Sequence, residues 1–119
     1  MRHKNSNIKK IEVMNTNDYC IVLTTFAKME DAKPLVDCLL NKQLAACIQC
    51  FPIHSYYTWK GEVANDSEVV LFIKTKNGVY QDVEKEIKIN HTYETPEIIQ
   101  IPITNGSQEY LGWMNSNIK

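Results

Sequence analysis

The sequence predicts an α+β domain in which two strand–helix–strand units are joined by a long hairpin and followed by a C-terminal helix. Three observations predict it. Residues 44–63, LAACIQCFPIHSYYTWKGEV, read as one long, bent strand ending in a turn at Lys60-Gly61-Glu62, because Tyr, Trp, Ile, Phe and Thr suit a pleated, half-buried surface. Two other stretches place apolar residues at helical spacing. Between and around them lie short β-branched and aromatic runs.

The elements follow in order. Tyr19–Phe26, YCIVLTTF, is apolar at both parities and reads as a central strand. A helix is expected from Met29 or Glu30 to Gln43, with Ala32, Leu35, Val36, Leu39 and Leu40 on one stripe. Glu30 and Asp31 suit its positive end, and Pro34 is tolerable only in the first turn. Cys38 falls off the stripe. The long strand comes next, about sixteen residues against a usual five or six. Pro52 gives no ladder N–H and marks a bend or an edge. A strand of this length outgrows one small domain, so its far half, with Tyr56, Tyr57 and Trp59, is expected to meet another copy of the chain.

Its hairpin partner is expected over residues 67–76, SEVVLFIKTK, with Val69, Leu71, Ile73 and Thr75 on one face and Glu68, Val70, Phe72 and Lys74 on the other. A second helix should run from Asn77 or Gly78 to Asn90, with Asn77 as N-cap and Val79, Tyr80, Val83 and Ile87 inward. Pro96 forces Thr95 to be extended. Residues 97–104 then form a strand, with Pro102 toward an edge, and Ser107 caps a last helix over residues 107–118. Strand–helix–strand twice, with a hairpin between, is the split βαβ plan of ferredoxin-like domains.

The chain has 119 residues, enough for one core, and its 44% hydrophobic and 23% charged residues are ordinary. A net charge of −1 argues against nucleic acid and membrane surfaces as partners. No apolar run is long enough to span a bilayer. Residues 1–18 are polar, Asn-rich and without period, and read as a disordered tail before a domain over residues 19–119. The basic residues there lack an apolar h-region, so they make no secretory signal; a short organelle-targeting segment is the alternative. With no export signal, Cys20, Cys38, Cys47 and Cys50 are expected as free thiols. Cys47 and Cys50 form a CxxC, but on a strand they point to opposite faces about 10 Å apart.

No GxSxG, P-loop or GxGxxG is present, and no His spacing marks a metal centre. The residues thus disfavour an enzyme. The connection His91-Thr92-Tyr93-Glu94-Thr95-Pro96-Glu97 is unusually polar and aromatic. It is either a rigid turn shaping a subunit interface or one wall of a ligand pocket. Trp59 and Tyr57 pose the same choice.

Together, LAACIQCFPIHSYYTWKGEV, SEVVLFIKTK, HTYETPEIIQIPI and GSQEYLGWM resemble the CutA divalent-cation tolerance family, in order and spacing, over residues 19–118. The resemblance implies a ferredoxin-like fold in a homotrimer of the PII signal-transduction build, with long strands reaching across subunits. It implies a cytoplasmic protein linked to copper and other divalent cations. No resident cofactor is implied beyond copper or another divalent cation as ligand. Matching positions are Trp59, Glu62, Glu68, Lys74, Tyr93, Glu94, Pro96 and Glu97 near an intersubunit cleft, with His91 facing the metal. In some members of that family copper binding is attributed to a first-strand thiol acting with the histidine that matches His91. Here the thiol position holds Thr24, and Cys20 lies about 13 Å away along the same face.

Overall fold

A computed structural model describes residues 18–119. The tail expected over residues 1–18 lies outside these, save Asp18, which is exposed. The elements are β1 (Tyr19–Phe26), α1 (Met29–Asn41), β2 (Cys47–Trp59), β3 (Glu62–Lys76), a 3-10 turn (Asn77–Val79), α2 (Tyr80–Asn90), β4 (Ile99–Pro102) and α3 (Gln108–Ser116). The sheet order is β2-β3-β1-β4 and every pairing is antiparallel. This is the expected split βαβ arrangement with an extended hairpin and a C-terminal helix.

Helices α1 and α2 cover one sheet face. Cys20, Val22 and Phe26 of β1 and Leu71 and Ile73 of β3 pack there against Ala32, Leu35, Leu39, Val83 and Ile87, all fully buried. The apolar stripe of α1 is as expected except at its rim, where Leu40 is exposed. Cys38 is half-buried. Its thiol donates to Glu86 Oε1 at 3.3 Å, and Lys42 holds Glu86 Oε2 at 2.7 Å, tying α1 to α2.

The helix ends at Asn41, two residues before the expected stop. Gln43 takes a left-handed φ of 58°. Gln43 N–H then donates to Leu40 O and Leu44 N–H to Leu39 O, the paired bonds that close a helix C-terminus. Pro34 sits in the second turn, not the first. Its missing N–H leaves the Glu30 carbonyl without its intrahelical donor, a local cost that the buried stripe outweighs.

The hairpin is longer than the sequence suggested. Lys60 (φ 53°) and Gly61 (φ 80°) form a two-residue turn with both residues left-handed. That turn type matches the twist of the flanking strands. Pairing therefore starts at once, Trp59 against Glu62, and runs unbroken to Cys47 against Lys74. Strand β3 begins at Glu62 rather than Ser67, because turn geometry overrides the weak strand preference of Asn65 and Asp66. Strand β2 in turn starts only at Cys47. The ribbon draws the molecule out to 52 × 26 × 25 Å.

Two other boundaries move. Asn77 does not cap α2: its Oδ1 accepts from Gln100 Nε2 at 2.8 Å, and the 3-10 turn leads into the helix. Strand β4 shrinks to four residues, with Pro102 at its end on the sheet edge. Ser107 caps α3 as expected, its Oγ accepting from Tyr110 N–H at 3.1 Å.

The register places Cys47 beside Lys74 on one face and Cys50 beside Leu71 on the other, and all four cysteines are free. The face opposite α1 and α2 is covered differently. Helix α3 packs Leu111 and Met114 on Tyr19 at one end. Farther along lie Ile21, Leu23, Phe51, Phe72, Ile99 and Ile101, which the register sets on that same face. Phe51 is 42% exposed, Ile99 46% and Ile101 37%, and the Phe51 and Phe72 rings meet edge to face at 5.2 Å.

Thr24 faces the helix layer, fully buried, and its Oγ1 has no hydrogen-bond partner. An unpaired buried hydroxyl costs on the order of 1–3 kcal/mol. Thr24→Val keeps the shape and removes that hydroxyl. It should raise stability by about 1 kcal/mol in a urea melt; a destabilised variant would mean the hydroxyl has a partner.

Candidate functional site

The expected site residues fall in three places. At the ribbon tip, Trp59 pairs with Glu62 and is 62% exposed, with Lys60 Nζ 5.7 Å from its ring centre. About 20 Å along β3, at the ribbon root, are Glu68, Tyr93 and His91. About 20 Å farther on, Lys74 points under α3, its Nζ 3.3 Å from Tyr110 OH. Glu94 and Glu97 are exposed on the connection between α2 and β4.

The root is the organised part. The Thr25 carbonyl, on β1, accepts from His91 Nε2 at 2.7 Å. Tyr93 N–H donates to His91 Nδ1 at 3.0 Å. Tyr93 OH donates to Glu68 Oε2 at 3.0 Å, and Ser55 Oγ donates to Glu68 Oε1 at 2.7 Å. A short hydrogen bond from Tyr57 OH to Asp66 Oδ2 lies one step toward the tip. This chain of bonds runs from the body of the sheet to both ribbon strands. It braces the ribbon where it leaves the domain.

The rings are fixed too. His91 stacks on Phe26 at 3.9 Å and 15°, and Tyr93 leans on His91 at 4.8 Å and 50°. Burial pushes the His91 pKa down from its usual value, against smaller opposing effects from the Thr25 carbonyl and the Glu68 charge. Burial first, then the Glu68 bond and charge, push the Tyr93 phenol up to about 12. Both groups therefore stay neutral near pH 7. Tyr93→Phe removes one donor to Glu68 while Ser55 keeps the other. It should cost about 1 kcal/mol in a denaturant melt; an unchanged midpoint would show that the phenol braces nothing.

Tyr57 stood out in the sequence as an aromatic of the far strand half; Ser55, Asp66 and Thr25 did not. A signal was present for two of these three. Once the turn is placed at Lys60-Gly61, strand alternation puts Ser55, Tyr57, Asp66 and Glu68 on one face, as diagonal neighbours. The Thr25 contact is made by its backbone and leaves no trace in side-chain identity.

The copper site implied by resemblance does not fit these residues. Thr24 offers a hydroxyl where a thiol is needed, and soft copper prefers sulfur. Cys20 is fully buried, and burial pushes its thiol pKa up. Both His91 nitrogens are already bonded within the chain. Among the described residues, no group of three or more His, Cys, Asp or Glu side chains is placed to hold a metal ion.

The comparisons with known proteins agree with the fold. The family described as CutA1 divalent ion tolerance protein matches residues 20–117, nearly all of the described chain. This chain belongs to the CutA divalent-cation tolerance family. It is 37% identical over 98 residues to the divalent-cation tolerance protein CutA of Thermus thermophilus, covering 82% of this chain and 95% of that one. It is 36% identical over 115 residues to the chloroplastic CutA of Arabidopsis thaliana, covering 96% of this chain but only 63% of that protein. Among solved structures, Oryza sativa CutA1 superposes with a TM-score of 0.83 at 34% identity, covering 89% of this chain and 98% of that one. The periplasmic divalent cation tolerance protein CutA from Archaeoglobus fulgidus gives 0.82 at 34%, covering 85% and 99%.

These names overturn the cytoplasmic expectation. CutA proteins of this similarity are named chloroplastic and periplasmic, so membership of the family carries no cytoplasmic address. The physical reason is that the fold buries the same core in any aqueous compartment. Among the described residues, no helix is long and apolar enough to cross a membrane.

Proposed function

We propose that the chain acts as a non-enzymatic homotrimer in the response to divalent cations, binding a cation or small ligand in clefts between subunits. One observation carries this reading. The sheet face bearing Leu23, Phe51, Phe72, Ile99 and Ile101 is apolar and only partly covered, and the ribbon projects beside it. Burying such a face against sister copies releases roughly 25 cal/mol per Å² of apolar area.

Assembly also explains the scatter of the site residues. Trp59 and Glu62 at the tip stand too far from Glu68, Tyr93, Glu94 and Glu97 of the same chain to share a ligand with them. Threading the tip across a neighbour brings them, and Lys74, to one cleft. Its donors would be mostly carboxylate and phenol oxygens, suited to a hard divalent cation or a cationic group. A structural trimer without a ligand of its own is the second reading. It is favoured by Glu68 already having both oxygens bonded within the chain.

Sedimentation equilibrium at micromolar concentration should give three times the chain mass, with a melting temperature that rises with concentration. A well-folded single chain would overturn the reading. Calorimetric titration with Cu(II), Zn(II) and common nucleotides separates the two versions. Heat that is lost in Glu68→Gln supports a cleft ligand. A trimer silent to every ligand supports the structural form.

A further inference from the structure

We propose that His91 is a hydrogen-bond clamp in this chain, held as the neutral Nε2–H tautomer, and that divalent cations bind the protein without it. The partners fix the tautomer. A carbonyl oxygen can only accept, so the 2.7 Å contact to Thr25 O requires the proton on Nε2. A backbone N–H can only donate, so the 3.0 Å contact from Tyr93 N requires a bare lone pair on Nδ1. An imidazolium would set two N–H groups against each other at Nδ1.

A metal ion approaches imidazole in the ring plane, along a nitrogen lone pair. The only lone pair here is occupied by Tyr93 N–H. The other nitrogen would have to lose its proton and its bond to Thr25. The ring cannot swing free, because Phe26 stacks on it and Tyr93 leans against it. Ligation would therefore break two hydrogen bonds and a stacked pair, and no thiol waits nearby to compensate, since Thr24 stands in that position. The clamp joins the end of β1 to the segment that carries Tyr93 onto Glu68. It is a positioning residue for the ribbon root.

The test uses the full, 15N-labelled chain. Long-range proton–nitrogen correlation spectra near pH 7 report the protonation of each ring nitrogen, with His3→Gln and His54→Gln variants assigning the signals. The expected result is a protonated Nε2 and an unprotonated Nδ1 for His91, both unmoved by excess Zn(II). A proton on Nδ1, a doubly protonated ring or a His91 nitrogen signal displaced by Zn(II) would each overturn the proposal.

Discussion

Phe51→Asp should convert the proposed trimer to single chains while each chain stays folded. Phe51 is 42% exposed in one chain and touches Phe72 at its edge. In an isolated chain, replacing such a half-exposed ring with Asp costs modestly, because the carboxylate keeps its water. Within an interface the same carboxylate would be stripped of water beside Phe72 and Val70. The effective penalty for burying an unpaired charge is several kcal/mol. It recurs in every copy of a symmetric assembly. Sedimentation should show a shift to the single-chain mass with a retained far-ultraviolet spectrum. Phe51→Leu, which keeps the apolar surface, should remain assembled. An Asp variant that stays trimeric would mean this face is not the interface.

His91→Ala is the second large effect. It removes the donor to Thr25 O, the acceptor for Tyr93 N–H and the ring stacked on Phe26. Two hydrogen bonds at about 1 kcal/mol each and a stacked pair at about 1 kcal/mol give a loss of about 3 kcal/mol. His91→Gln can still donate toward Thr25 and should lose about half as much. Urea melts of both variants measure this; equal losses would show that stacking, not hydrogen bonding, dominates.

The same residue sets a pH dependence. The folded-state pKa of His91 lies below its ordinary 6.5 because burial disfavours the charged ring. As pH falls below 6.5, the unfolded chain takes up a proton that the folded chain refuses. Stability therefore drops between 6.5 and the depressed folded value and levels off below it. Above 6.5 the contribution is complete. His91→Gln should lose this acid slope, readable as a flatter melting temperature against pH.

Much of the fold was legible because apolar spacing encodes it. The stripe Ala32, Leu35, Leu39 and the alternation Leu71, Ile73, Thr75 specify which faces meet, and the structure buries all six. Boundaries were less legible where local geometry outvotes composition. Nothing in Glu62-Val63-Ala64-Asn65-Asp66 reads as strand, yet the turn at Lys60-Gly61 commits it to pairing. Asn77 looks like a cap, but Gln100, distant in sequence, takes its side chain. The sequence pointed to His91 and Tyr93 through the polar, aromatic connection and to Glu68 through the family resemblance. It could not reveal that the first serves the other two, because that depends on a backbone carbonyl from β1. Lys74 shows the converse. It shares a face with Glu68, but strand rise carries it out of reach.

The two-residue reversal at Lys60-Gly61 also limits how relatives of this chain can vary in length. Adding a single residue to one arm of the ribbon would turn every side chain beyond it to the wrong side and break the Ser55–Glu68 and Tyr57–Asp66 diagonals. Only matched additions, two residues on each arm, leave the inner contacts aligned. Each such step moves Trp59 outward by about 7 Å. In the proposed trimer, reach between neighbouring molecules is thus adjustable in coarse increments, while the anchoring end stays as it is.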